Sequence, residues 1–314
     1  MNRHRIALID LGTNTFHLMI TEIDDYGHGN VLLKFKAPVK LGKGGISSGE
    51  IAPDAWARAL ITLEAFQERM AEFRVHEVKA TATSAMRNAS NGPALAREIK
   101  QTFGYDIEII DGDREAELIY LGVRSAMDLG LEKNLIIDIG GGSVEFIIAD
   151  RKTIFWKRSF EIGAQRLLDH FFKHDPIPEP EIAAEKAFLL QKLAPLSEAV
   201  RKFQPKTLIG SSGTFDTLCD MEALKHGYNR LENSRSEWDL SLASFYRMYH
   251  EILPMNHLQR LAIPGMIEMR ADMIVVALVL IDFILEEYQM ERIRVSGYAL
   301  KEGMLQELLA MKTA

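Results

Sequence analysis

One short pattern constrains the fold of this chain more than any other: an apolar run that ends in aspartate and leads into a turn of small residues. Residues 135–149 read L-I-I-D-I-G-G-G-S-V-E-F-I-I-A, with Asp138 before the turn and Glu145 inside the apolar run after it. Short apolar runs bounded by glycines are typical of buried β-strands. The segment therefore predicts a strand, a tight turn and a second strand.

The turn of this segment predicts an anion site. Glycine tolerates positive φ and lets a ligand approach the main chain, so successive N–H groups can converge on one phosphate. Asp138 and Glu145 flank the turn, and carboxylates beside phosphate repel it unless a cation or a proton intervenes. They predict a hard, oxygen-liganded metal such as Mg²⁺, or a general base acting on water. The alternative is a glycine-rich hairpin with solvated acids. The turn residues are Gly140, Gly141, Gly142 and Ser143.

A second copy of the pattern lies near the N-terminus, where residues 6–20 read I-A-L-I-D-L-G-T-N-T-F-H-L-M-I. Its Asp10 and the later Asp138 are 128 positions apart, about the length of one domain. Two such hairpins predict a duplicated fold with a cleft between the halves. A dinucleotide-binding or Walker loop needs a helix directly after its glycines, and neither copy has one. The turn residues of this copy are Gly12, Thr13, Asn14 and Thr15.

Composition limits the partners. The 314 residues suffice for two domains, and the net charge of −7 argues against a nucleic-acid-binding surface. The single Cys219 excludes an intramolecular disulfide and fits a reducing compartment. The apolar run at residues 273–281 is far shorter than the roughly 20 residues that span a membrane, and Asp10 interrupts the first apolar run. We expect a cytoplasmic protein with no nucleic acid and no membrane as partners.

Two further residues are candidates for the same chemistry. Arg87 lies one turn into a predicted helix, where the backbone dipole and the guanidinium can act on one anion. Glu115 follows a predicted strand, in the region where an α/β sheet offers its ligand crevice, and is a candidate base. The alternatives are a surface arginine and an acid that only stabilises a helix N-terminus.

The C-terminal half adds a third glycine turn, T-L-I-G-S-S-G-T-F, with a helix directly behind it. Its amides can bind phosphate or a nucleotide at the helix N-terminus, and a capped strand-to-helix turn is the alternative. Residues from Pro180 to about Phe203 predict one long amphipathic helix. Arg270 and Asp272 open a nearly continuous apolar helix, which slightly favours an internal ion pair over a site. The turn residues are Gly210, Ser211, Ser212, Gly213 and Thr214.

Seven segments in this order resemble the exopolyphosphatase / guanosine pentaphosphate phosphohydrolase family, within the superfamily of actin, sugar kinases and acetate kinases. They are D-L-G-T-N-T-F-H-L, A-T-S-A-M-R, D-R-E-A-E-L-I-Y-L-G, D-I-G-G-G-S-V-E, G-S-S-G-T, R-A-D-M-I and S-G-Y-A-L-K-E-G. The resemblance implies an α/β fold of two duplicated actin-like (ribonuclease H-like) domains. Each has a mixed central sheet flanked by helices, with the active-site cleft between the domains. We expect domains at residues 1–123 and 124–297, and a C-terminal helix at 298–314 that packs back on the first domain.

The resemblance also implies roles for particular residues. Glu115 falls on the catalytic glutamate, with Glu145 as a second catalytic acid, and Arg87 falls on a phosphate-binding arginine. The first and second glycine turns fall on the phosphate-binding loops. The expected ligands of Mg²⁺ are Asp10, Asp138 and Glu145. Arg114 and Glu117 depart from the family pattern and leave the substrate preference open, as does the lack of the long C-terminal extension of the larger members.

The predicted function is the release of terminal phosphate from inorganic polyphosphate, guanosine pentaphosphate or both, by Mg²⁺-assisted in-line attack of water. One alternative is an ATP-dependent kinase of the same superfamily that uses the third turn. Another is a non-catalytic sensor of guanosine polyphosphate. A homodimer is left open.

Overall fold

The computed structural model describes residues 4–24, 26–46, 48–228 and 235–313. Among the helices of these ranges, none combines the length and the apolar character of a membrane-spanning segment. The chain divides into two compact units: unit 1 is Met1–Gly122 with Leu300–Ala314, and unit 2 is Val123–Ala299. Each unit is built on one mixed sheet.

The sheet of unit 1 has the strand order β3-β2-β1-β4-β5. Strands β1, β2 and β3 form an antiparallel meander, and β4 and β5 run parallel to β1. The strands are β1 (His4–Leu11), β2 (Thr15–Ile23), β3 (Gly29–Pro38), β4 (Glu77–Ala82) and β5 (Ile107–Ile109). The helices are α1 (Pro53–Glu72), α2 (Ser84–Asn88), α3 (Gly92–Phe103), α4 (Gly112–Ala126) and, from the end of the chain, α12 (Leu300–Thr313).

Helices pack on the sheet of unit 1 through apolar side chains at helical spacing. Helix α1 buries Ala55, Ala59, Leu63, Phe66 and Met70, which share a core with residues of β1, β2, β4 and α3. Helix α12 packs against β1. A Cβ atom on Gly303 of α12 would overlap the backbone of Leu118 in α4, so glycine allows these two helices to approach closely.

The sheet of unit 2 has the order β10-β11-β9-β6-β7-β8. Read from β8, its first five strands repeat the order and the directions of the five strands of unit 1, and β10 is an added antiparallel edge strand. The predicted duplication is therefore confirmed at the level of topology. The strands are β6 (Asn134–Ile139), β7 (Val144–Ala149), β8 (Ile154–Phe160), β9 (Thr207–Ser211), β10 (Glu237–Leu240) and β11 (Arg292–Ser296).

The helices of unit 2 enclose one apolar helix. Every residue of α11 (Met273–Glu287) from Met273 to Leu285 is buried, as a helix that is apolar on all sides requires. Its neighbours include α5 (Ala164–Phe171), α6 (Glu179–Lys192) and α9 (Leu242–Ile252). The remaining helices are α7 (Ala194–Phe203), α8 (Ser212–Lys225) and α10 (His257–Leu261).

The prediction of one long helix from Pro180 to Phe203 was wrong. Helix α6 ends at Lys192 and α7 begins at Ala194. Pro195 in the first turn of α7 explains the break, because proline has no N–H for an intrahelical bond and its ring clashes with the carbonyl four residues earlier.

Candidate active site

The first two glycine turns adopt the predicted strand–turn–strand form and have the same geometry. The amide of Gly12 donates to the carbonyl of Thr15 at 3.2 Å, and the amide of Gly140 donates to the carbonyl of Ser143 at 3.1 Å. A Cβ atom on either glycine would lie 2.9 Å from that carbonyl oxygen. Both turns therefore need glycine at the first position, where a side chain would collide with the turn itself.

The carbonyl groups of the turn in unit 2 accept hydrogen bonds from the start of α5. The first three amides at the start of α5 donate to three successive carbonyls of the turn. The pairs are Ala164 to Gly140 at 2.9 Å, Gln165 to Gly141 at 2.9 Å and Gly163 to Gly142 at 3.1 Å. Within the described ranges, the amides of Gly141, Gly142 and Ser143 donate no hydrogen bond. The turn thus holds a row of N–H groups that an anion can accept.

Two buried carboxylates flank this turn. Asp138 and Glu145 are register partners on the antiparallel strands β6 and β7, so their side chains lie on the same face of the sheet. Oδ2 of Asp138 accepts from the hydroxyls of Ser211 at 2.7 Å and Ser212 at 2.6 Å. Oε1 of Glu145 accepts from the hydroxyl of Ser159 at 2.6 Å. These short charge-assisted bonds fix the orientation of both carboxylates.

The third glycine turn is a direct junction of strand and helix. Gly210 and Ser211 end β9, and Ser212, Gly213 and Thr214 form the first turn of α8. Ser212 has a φ of 69°, a left-handed conformation that is uncommon outside glycine. The two serine hydroxyls bond to Asp138 and neither caps α8. The structure therefore brings the second and third turns together through one carboxylate.

Sequence reasoning did not place Arg270 in the site. Nε and Nη1 of its guanidinium are buried and have no hydrogen-bond partner among the residues that the structure describes. A Cβ atom on Gly213 would lie 2.9 Å from Cζ of Arg270, so the guanidinium covers the start of α8. Burial lowers the pKa of Arg270 below its ordinary value, and the negative charges of Asp216 and Asp138 offset only part of this shift. A cation with two buried, unused donor atoms beside a helix N-terminus is a candidate anion ligand.

The expected ion pair between Arg270 and Asp272 was wrong. Oδ1 of Asp272 accepts from Nη2 of Arg260 at 2.8 Å. Arg260 is completely buried, and its Nη1 also donates to Asp175 at 2.7 Å. A fully buried arginine requires such partners. The sequence feature that could have identified Arg270 as a site residue is its position shortly before the apolar run that forms α11.

In unit 1, the structure brings Arg87 and Glu115 into direct contact. Nη1 of Arg87 donates to Oε2 of Glu115 at 2.8 Å and to the carbonyl of Ile110 at 3.2 Å. The two side chains are 17% and 9% exposed. Arg87 and Glu115 follow the carboxyl ends of β4 and β5, and the turn at Gly12 follows the carboxyl end of the parallel strand β1. These residues therefore lie at one edge of the sheet, where open α/β sheets bind ligands.

The turn of unit 1 is supported by an irregular segment and not by a helix. The carbonyl of Asn14 accepts from the amides of Val39 at 3.0 Å and Lys40 at 2.8 Å, and the carbonyl of Thr13 accepts from Gly42 at 3.0 Å. Residues 39–42 lie between β3 and α1. Because connecting segments are generally more mobile than helices, we expect this turn to shift more easily than its counterpart in unit 2.

The donor set fits Mg²⁺ in part. Among the described residues, no group of three or more His, Cys, Asp or Glu side chains is arranged to hold a metal ion. Protein Mg²⁺ sites commonly use one or two carboxylates together with waters and substrate phosphates, and the buried pair Asp138 and Glu145 suits that pattern. The third expected ligand, Asp10, lies in unit 1, where its register partner is His17. The three-residue ligand set stays a prediction.

A cavity of about 940 Å³ lies in unit 1, apart from these residues. Its lining includes Arg74, Tyr105 and Met304 but none of the predicted site residues. Cavity size therefore does not locate the candidate phosphate site in this unit.

Several known proteins are similar to this chain. The family model described as the Ppx/GppA phosphatase family matches residues 19–312. A protein of Haemophilus influenzae described as a candidate exopolyphosphatase is 30% identical over 98% of this chain and 92% of its own length. A guanosine-5'-triphosphate,3'-diphosphate pyrophosphatase of Photobacterium profundum is 29% identical over 97% of this chain, which spans 59% of that relative.

Among solved structures, an exopolyphosphatase from Cytophaga hutchinsonii is 45% identical and superposes with a TM-score of 0.94, with 98% of each chain covered. This likeness confirms the predicted fold class, an α/β fold with mixed sheets flanked by helices.

Proposed function

The chain belongs to the Ppx/GppA phosphatase family, and from this premise we propose that it hydrolyses phosphoanhydride bonds. The reaction would release terminal phosphate from inorganic polyphosphate, from guanosine pentaphosphate or from both. The observation that carries the proposal is the turn Gly140–Ser143. Its carbonyls are bonded to α5 and three of its amides are available to a phosphate. The names of the relatives supply the substrate classes.

In the proposed mechanism, Glu115 orients an attacking water and takes its proton. Arg87 holds the carboxylate of Glu115 through the 2.8 Å bond and so limits the orientations of this base. The new bond forms between the water oxygen and the terminal phosphorus as the bridging P–O bond breaks in line. The phosphoryl oxygens gain charge in this step, and the amides of the turn would stabilise that charge.

Asp138 and Glu145 would hold Mg²⁺, with Asp10 as the third expected ligand. When bound, the ion would supply positive charge to the phosphate oxygens. The serine hydroxyls that bond to Asp138 and Glu145 would keep both carboxylates oriented for this role.

A phosphate-release assay tests the proposal. Long polyphosphate, short polyphosphate and guanosine pentaphosphate are compared with Mg²⁺ present and with the metal chelated. We expect release from at least one substrate, and its loss on chelation. Tight binding of guanosine pentaphosphate with no phosphate released from any of the three substrates would contradict hydrolysis and select the sensor. ADP formation that needs a second acceptor would select the kinase.

A further inference from the structure

We propose that Arg166 is a positioning residue for the turn Gly140–Ser143, and that it acts by fixing the peptide plane that carries the amide of Ser143. The inference rests on the proposed function, because this role requires that the turn binds a phosphate. Arg166 lies in the first turn of α5, behind the turn.

Two directional contacts orient the guanidinium of Arg166. Its Nε donates to the carbonyl of Gly142 at 2.9 Å, and its Nη2 donates to Oε2 of Glu161 at 3.2 Å. The carbonyl of Gly142 also accepts from the amide of Gly163 at 3.1 Å. One carbonyl of the turn thus has two donors, of which one is charged.

Peptide geometry connects these bonds to the amides on the opposite side. A trans peptide is planar, and its C=O and the N–H of the next residue point in opposite directions. Holding the carbonyls of Gly140, Gly141 and Gly142 toward α5 therefore points the amides of the next three residues away from it. Glycine peptides can rotate easily because they lack a Cβ atom. The donors on α5 remove that freedom before a substrate binds.

The approach of α5 to the turn is close enough to make this support rigid. A Cβ atom on Gly163 would lie 2.5 Å from the carbonyl oxygen of Gly141, so only glycine fits at this contact. A side chain at residue 163 would push α5 from the turn and lengthen all of these bonds together.

Arginine suits this position better than lysine would. A guanidinium can donate from Nε to the carbonyl while Nη2 pairs with Glu161, since its donors form a planar fork. A lysine ammonium keeps the charge but does not reproduce these two directions. The substitution Arg166→Lys therefore separates positioning from simple electrostatic attraction of the substrate.

The test compares the wild type with Arg166→Lys, Arg166→Ala and the control Arg201→Ala. Arg201 is an exposed arginine of α7 whose Nε donates to the carbonyl of Ser197 at 3.3 Å, outside the turn and α5. KM and kcat for phosphate release are measured with polyphosphate and guanosine pentaphosphate. Affinity for guanosine pentaphosphate is measured by equilibrium titration with chelated metal, and circular dichroism confirms folding.

We expect both Arg166 variants to lose roughly 10- to 100-fold in kcat/KM and to bind guanosine pentaphosphate more weakly. The control should match the wild type, and lysine should not restore activity. Wild-type values in a folded Arg166→Lys variant would overturn the inference, whether or not Arg166→Ala folds. If the wild type binds guanosine pentaphosphate but releases no phosphate, the proposed function fails, and the titration still decides the role of Arg166. If it neither binds nor hydrolyses, both fail.

Discussion

The two glycine turns share their geometry but differ in what lies behind them. In unit 1 the turn is supported by the connecting segment 39–42, and in unit 2 by the first amides of α5 together with Arg166. Arg58 of α1 reaches the turn of unit 1 only indirectly, because its Nε donates to the carbonyl of Val39 at 2.8 Å. The duplicated scaffold has therefore kept two similar turns and given them different supports.

The side chains near the two turns also differ. The residue opposite the aspartate is His17 in unit 1 and Glu145 in unit 2. Unit 1 instead has the ion pair of Arg87 and Glu115. We propose that unit 1 contributes the base and that the turn of unit 2 contributes most of the affinity for phosphate. Variants in the two units should therefore affect different kinetic constants.

The largest effect is expected for Glu115→Gln, which removes the proposed base and keeps its shape. Phosphate release at saturating substrate should fall roughly 10²- to 10⁴-fold, because a positioned base commonly contributes that much. Glu117→Gln on the same helix is the matched control, since Glu117 is half exposed and forms an ion pair with Arg114. Wild-type turnover by Glu115→Gln would exclude this residue as the base.

A matched pair of glycine variants tests the difference in support. Gly140→Ala and Gly12→Ala each place a Cβ atom 2.9 Å from a carbonyl oxygen of their own turn. We expect kcat/KM to fall about 10²-fold for Gly140→Ala, because α5 prevents the turn from relaxing, and clearly less for Gly12→Ala. Steady-state phosphate release measures both. Equal losses would show that the supports do not differ in effect.

The hydroxyls that hold Asp138 should matter for stability. Ser211→Ala and Ser212→Ala each remove a bond of 2.7 or 2.6 Å to its Oδ2. A hydrogen bond to a charged group contributes about 1.5–3 kcal/mol. Thermal unfolding should register a lower midpoint for each variant than for Ser48→Ala, which loses a serine bond to a backbone carbonyl in unit 1. Midpoints equal to that of the control would contradict a structural role for these serines.

A buried acid in unit 2 predicts a pH dependence. Both carboxylate oxygens of Glu185 are buried without a hydrogen-bond partner in the described part of the chain, and burial raises its pKa well above 4.5. Above pH 4.5 the unfolded chain releases this proton while the folded chain keeps it. Stability should therefore fall by up to about 1.4 kcal/mol per pH unit until the folded pKa is reached.

Glu185→Gln removes this titration. The difference in unfolding midpoint between the wild type and the variant should grow as the pH rises from 4.5, and should be smallest below it. A difference that stays constant across this range would show that Glu185 does not keep its proton in the folded state.

The smallest effect is expected in unit 1, where Tyr105 has a buried hydroxyl without a partner among the described residues. Burial raises the pKa of this phenol, so it stays neutral at every ordinary pH. Tyr105→Phe removes an unsatisfied polar atom and should stabilise the protein by about 1 kcal/mol, equally at all pH values. Chemical denaturation at two pH values measures this. A loss of stability would indicate that the hydroxyl has a partner.

The parts of the site that could be read from the sequence are local. The two hairpins, their aspartates and their glycines follow from residues adjacent in the chain, and the spacing of 128 positions predicted the duplication. The bonds from Ser211 and Ser212 to Asp138 depend on the parallel pairing of β6 with β9, which joins segments about 70 residues apart. The position of Arg270 over Gly213 likewise depends on tertiary packing. By contrast, the helix break before Pro195 could have been predicted from the proline alone, which lacks an N–H for an intrahelical bond.

The most direct test of this division of roles is an equilibrium titration into Glu115→Gln of the substrate that the wild type hydrolyses, polyphosphate or guanosine pentaphosphate. The titration is repeated with Gly140→Ala or Gly12→Ala added. The account predicts that Glu115→Gln binds this substrate without releasing phosphate, that Gly140→Ala weakens binding strongly, and that Gly12→Ala weakens it less. Failure of Glu115→Gln to bind the substrate, or unchanged binding when Gly140→Ala is added, would contradict the account.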